Sequence, residues 1–178
     1  MPFTIGQTFD STYPPEAAAW CMANNAYIEE TPNGYTIKKC PTLTLDEVKA
    51  RKLASIDAET SAAILAGFEC EATPPDTGQP ELLHFSYDEF DQQNFADAAI
   101  SMQLASASGD IPTATPWNAY RDHTADSKGE LVILHLTAET FLPIYAAALT
   151  HKATQMAVGG QRKAAVAAAQ SVEDVEAI

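Results

Sequence analysis

A mainly α fold with short β-hairpins, of the α+β class, is predicted by three observations. Long windows carry apolar residues at helical spacing, and short β-prone runs flank turn-forming residues. Alanine supplies much of the 46% hydrophobic content, while aromatics reach only 8%. Alanine favours helix but buries little surface, so each helix needs neighbours. The expected architecture is a set of small helix–hairpin modules whose thin core is completed by partner chains.

Residues 1–42 form the first expected unit, a helix–hairpin docking module. In Tyr13-Pro14-Pro15-Glu16, a proline at the first helical turn and an early acid suit a helix start. The helix runs from about Pro15 to Asn24, with Ala18, Cys21 and Met22 near one face and Trp20 beside them. Asn24-Asn25 stops it, since Asn tolerates the left-handed turn at a helix end. Ala26 to Glu30 and Tyr35 to Cys40 read as strands around Asn33-Gly34, a dipeptide suited to tight hairpins.

Residues 43–178 form the second, a helical domain with two hairpins. A helix is expected from Leu45 to Ala66, capped by Thr44 with Glu47 three residues on. Leu45, Val48, Leu53, Ile56, Thr60, Ala63 and Ile64 keep to one side of it, and Gly67 ends it. Phe68 to Ala72 and Leu82 to Ser86 are strands around a Pro- and Gly-rich turn. Ser86 with Glu89 makes a capping box for a helix over Tyr87–Ala105 that buries Phe90, Phe95, Ala98, Ala99 and Met102. A loop follows at 106–116, then strands at Trp117–Arg121 and Glu130–His135 about a polar turn. Thr137 caps a helix to Val158 with Phe141, Leu142, Tyr145, Leu149 and Met156 as its apolar members. Gly159-Gly160 interrupts or hinges the chain before a last helix at Gln161–Gln170, and Ser171 caps a closing turn.

The net charge of −14, from 24 acidic against 10 basic residues, repels phosphate backbones and anionic lipid. Neither nucleic acid nor membrane is therefore an expected partner, and a basic protein surface is the complementary one. No apolar run approaches the roughly 20 residues of a membrane span. Met-Pro-Phe-Thr-Ile lacks the basic and apolar regions of a secretory signal, so synthesis in the cytoplasm is expected. Cys21, Cys40 and Cys70 lie far apart and suggest buried thiols rather than disulfides or zinc.

Chemistry-bearing motifs are absent. His84, His123, His135 and His151 are scattered, without HExxH, CxxC or His-x-His spacing. Asp122-x-Thr124-x-Asp126 starts like a calcium loop but carries Ser127 where glycine belongs and Ile133 where the closing glutamate belongs. Nucleophile elbows and phosphate-binding glycine patterns do not occur. No catalytic residue, cofactor or metal is expected. The remaining candidates are two aromatic clusters, Tyr13, Trp20 and Tyr27, and Trp117 and Tyr120, read either as core or as anchors for a protein partner.

Two stretches carry a resemblance. Thr4-Ile5-Gly6-Gln7, Tyr13-Pro14-Pro15-Glu16-Ala17-Ala18-Ala19-Trp20-Cys21 and Asn24-Asn25-Ala26-Tyr27-Ile28-Glu29-Glu30 resemble the start of short reading frames in phage and prophage tail gene clusters. From about Val48 the chain looks like a domain of unknown function found in phage tail-fibre and tail-fibre-assembly proteins. The matching residues are Gly67-Phe68-Glu69, Phe85-Ser86-Tyr87-Asp88, Trp117 with Arg121-Asp122, Leu136-Thr137-Ala138 and Ser171-Val172-Glu173-Asp174-Val175-Glu176-Ala177-Ile178. That family often has Asn after the Asp that follows its Trp, and His123 stands there in this chain. The resemblance implies a virion component of the tail, at the baseplate or a fibre, with other tail or fibre proteins as partners and self-association within the particle. A tail-fibre assembly chaperone is the alternative, and a glycan hydrolase a more distant one.

Overall fold

The computed structural model describes residues 3–109 and 114–178, and the chain divides into two compact units, Met1–Asp46 and Glu47–Ile178. The first holds β1 (Thr8–Phe9), α1 (Pro15–Ala23), β2 (Ala26–Thr31) and β3 (Gly34–Lys39). Its antiparallel sheet has the order β1-β3-β2. Gly34 takes φ +119° at the β2–β3 turn, a conformation that favours glycine. Asn24 ends α1 by donating its side-chain N–H to the Trp20 carbonyl at 2.8 Å. The helix turns Ala17 and Cys21 onto Ala26 and Ile37, with Phe3, Phe9, Trp20 and Ile28 packed around them. Met22, expected on that inner side, points into solvent. The two-residue β1 is too short to leave a period in the sequence.

The second unit follows α2 (Leu45–Leu65) with β4 (Phe68–Ala72), β5 (Glu81–Phe85), α3 (Glu89–Ser108), β6 (Thr115–Arg121), β7 (Glu130–Leu136), α4 (Ala138–Ala168) and α5 (Val172–Glu176). The two expected hairpins are not separate modules. One bridge, His84 to Tyr120, joins them into an antiparallel sheet ordered β4-β5-β6-β7. Phe68, Leu83, Phe85, Ala119, Val132, Leu134 and Leu136 face inward from the sheet and meet Phe95 and Met102 of α3 and Phe141, Ile144 and Ala148 of α4. This overturns the expectation of a mainly α fold with a thin core left for partner chains. Among the described residues the chain is α+β with two antiparallel sheets, and in the second unit its own strands and helices enclose a core with stacked and edge-on rings.

Three local expectations also change. Asp88, not Ser86, caps α3, accepting the Asp91 N–H at 2.8 Å. Phe90, expected to be buried, is 74% exposed, because at 3.6 residues per turn it lies about 140° around the helix from the core-facing Phe95. Gly159-Gly160 neither interrupts nor hinges the chain, because α4 runs through both. Its second half lies antiparallel to α2, held by Arg162 to Glu59 at 2.6 Å, Lys163 to Asp57, and Lys49 to the Ala167 carbonyl at 3.1 Å. His151 Nε2 lies 3.1 Å and 3.3 Å from the carbonyl oxygens of Ala63 and Ile64. Carbonyls only accept, so this nitrogen carries the proton and ties down the last turn of α2.

Arg121 locks the outer ends of the strands. Its guanidinium reaches Glu81 at 2.5 Å, Asp76 at 2.8 Å and Glu130 at 3.6 Å. Hydrogen bonds from Arg121 hold the carboxyls of Asp76 and Glu81 below their ordinary values. Depressed carboxyl values stabilise the fold above the unfolded-state range and lose that contribution as pH falls through the lowered folded values. Arg121→Gln is therefore expected to lower the Tm at neutral pH, with the gap to wild type closing below about pH 4. Thermal melts of both proteins across pH check this, and a gap that persists in strong acid would refute it.

Candidate functional site

A strand sends alternate side chains to opposite faces of its sheet. In β7, Val132, Leu134 and Leu136 are buried, so Leu131, Ile133 and His135 point away from the core. Register then fixes what stands beside them. Glu69 of β4 pairs with His84 of β5, His84 with Tyr120 of β6, and Tyr120 with Leu131 of β7. These four residues form one outward row across all four strands. Leu82, opposite Glu71, and Ile133, opposite Asn118, extend the patch on either side of the row. Leu82, Leu131 and Ile133 are between 49% and 61% exposed. The sheet thus presents an apolar and aromatic strip with carboxylates along its β4 margin.

Backbone geometry adds a second imidazole. Asp122 adopts φ +51° just beyond β6 and turns the chain back, so that His123 stacks on His84 with ring centroids 3.5 Å apart and planes 4° from parallel. Burial, then the neighbouring His123, holds His84 below its ordinary value, with Glu69 opposing them. His84 is therefore neutral at pH 7 and can both donate and accept a hydrogen bond. The two stacked rings make a flat, polar-edged platform beside Tyr120.

Trp117 and Tyr120, grouped by the sequence, lie on opposite faces of β6. The Trp117 ring packs into the core, 4.3 Å from Phe95 and 5.7 Å from Phe141. Both nevertheless reach the rim of one open groove of about 470 Å³, which Asp91, Asn94 and Asn118 also line. In the first unit, Trp20 packs on the core against Phe3 at 6.5 Å. Tyr13 stands edge-on to Tyr35 at 5.1 Å, and Tyr27 lies opposite Lys38 on the outer side of the β2–β3 pair. These three aromatics do not converge on one surface patch.

Sequence reasoning missed Glu69, Leu82, His84, His123, Leu131 and Ile133. One signal was present: Leu131-Val132-Ile133-Leu134 is apolar at consecutive positions, although an antiparallel strand with one wet face should alternate. The histidine stack left no such trace, since 39 positions separate its members. Among the described residues, no group of three or more His, Cys, Asp or Glu is placed to hold a metal ion, and no helix is long and apolar enough to cross a membrane.

Residues 47–178 match a family model described as a domain of unknown function (DUF4376). No curated protein and no solved structure matches the chain.

Proposed function

The chain belongs to the DUF4376 family, and from that premise we propose that it is a structural component of a bacteriophage tail, a baseplate or tail-fibre adaptor that docks on a neighbouring tail protein through the outer face of its four-stranded sheet. The observation that carries this reading is the exposure of Leu82, Leu131 and Ile133 around half-buried Tyr120 on a sheet whose other face is already filled. A monomer gains nothing by leaving contiguous large aliphatics in water, whereas an interface centre is built from such groups with a polar rim. Glu69 and Glu71 on one margin, in a chain of net charge −14, select a partner with basic groups around an apolar pocket. Tail context is supplied by the motif resemblance, two of whose residues bear on this face: Glu69 in the row and Asp122 at the turn that places His123.

Mass spectrometry of purified particles tests the proposal. The wild-type chain is expected in mature particles, and Leu82→Lys/Leu131→Lys, which alters only exposed positions, is expected to be lost from them. Incorporation of the double variant at wild-type level would exclude this face as the docking surface. Absence of the wild-type chain from particles, with insolubility of the fibre when the chain is deleted, would replace the adaptor reading with that of an assembly chaperone.

A further inference from the structure

The α4 helix carries a second apolar seam, away from the core and from the sheet face. Leu142, Ala146, Leu149, Ala153, Met156 and Gly160 follow one another at steps of four and three residues, the spacing of a two-helix seam. All six are exposed, and the three large ones are between 48% and 58% exposed. Their sizes alternate, large then small, over about 27 Å of helix.

We propose that this seam joins two copies of the chain as an antiparallel, two-fold symmetric dimer. Antiparallel pairing about the middle of the seam sets Leu142 against Gly160 of the second copy, Ala146 against Met156 and Leu149 against Ala153. Every large side chain then meets a small one, and the same contacts recur in reverse, as a two-fold interface requires. Parallel pairing would set leucine on leucine and alanine on alanine, leaving gaps at the small positions. The occupant is also selected by charge. Residues 140–172 contain no Asp or Glu, although the chain has 24, so this is where two strongly acidic copies approach with least repulsion. Opposed helix dipoles favour the same orientation. The dimer stands apart from tail docking, and either can fail without the other.

Sedimentation of the intact chain tests it. The wild type is expected as a dimer at micromolar concentration. Leu149→Ala, which removes both symmetry-related Leu–Ala contacts, is expected to weaken the dimer about 100-fold. Ala153→Leu sets Leu against Leu149 of the second copy and also weakens it, whereas Leu149→Ala/Ala153→Leu restores large-on-small pairing and recovers most of the affinity. Met156→Lys, at an exposed position, gives a folded monomer. A wild type that stays monomeric at about 100 µM overturns the proposal. Tighter association of Ala153→Leu alone overturns the antiparallel register.

Discussion

Phe95→Ala is expected to remove about 3–5 kcal/mol from the stability of the 47–178 unit, the range for deleting a fully buried ring. Phe95 has no exposed surface, and it is where the layers meet. Its ring contacts Phe68 of β4 at 6.0 Å, Tyr87 at 5.8 Å, Trp117 of β6 at 4.3 Å, and Phe141 and Tyr145 of α4 at 5.8 Å and 6.1 Å. Alanine would leave five rings facing a void, and rings held by two strands and a helix cannot all move in to fill it. Phe90→Ala, one and a half helical turns away, should change stability by less than about 0.5 kcal/mol. Urea unfolding followed by Trp117 fluorescence, in a background where Trp20 is Phe, separates this unit from the first. A Phe95→Ala loss below about 1.5 kcal/mol would mean that the centre of the core lies elsewhere.

That pair of phenylalanines also marks where the sequence was legible. Local signals with a steric cause were readable in advance: the Asn33-Gly34 turn, Gly67 at φ +91° after α2, and the caps Thr137 and Ser171. Each depends only on neighbours within a few positions. Ser86-x-x-Glu89 overlaps Asp88-x-x-Asp91, and the two share a capping spacing that sequence does not separate. Phe90 sits at the edge of the apolar stripe, where only the position of the core decides its side. The union of two hairpins through His84 and Tyr120, 36 positions apart, has no local signature at all. Because the core depends on that union, composition alone suggested a core thinner than the one that forms. The candidate site was hidden for the same reason, since its row draws one residue from each of four strands.

Neighbouring glycines offer the sharpest test of the packing between α2 and α4. Gly159 is buried, and a Cβ there would overlap Thr60 Oγ1 and sit 3.1 Å from Thr60 Cγ2. Gly160 is exposed, with nothing within 4 Å of a built Cβ. A flexible hinge would treat the two alike. Close helix packing treats them oppositely: Gly159→Leu forces α2 away and should cost about 1–3 kcal/mol, while Gly160→Ala replaces a poor helix former in an exposed helix and should stabilise by about 0.5–1 kcal/mol. The separation also endangers the contacts that depend on it, the Arg162–Glu59 and Lys163–Asp57 pairs and the His151 bond to the end of α2. Thermal melts of the two variants, run below the concentration at which copies associate, should therefore shift in opposite directions. Equal shifts of one sign would show that Gly159 is present for flexibility and that α2 is not held against α4 at Thr60.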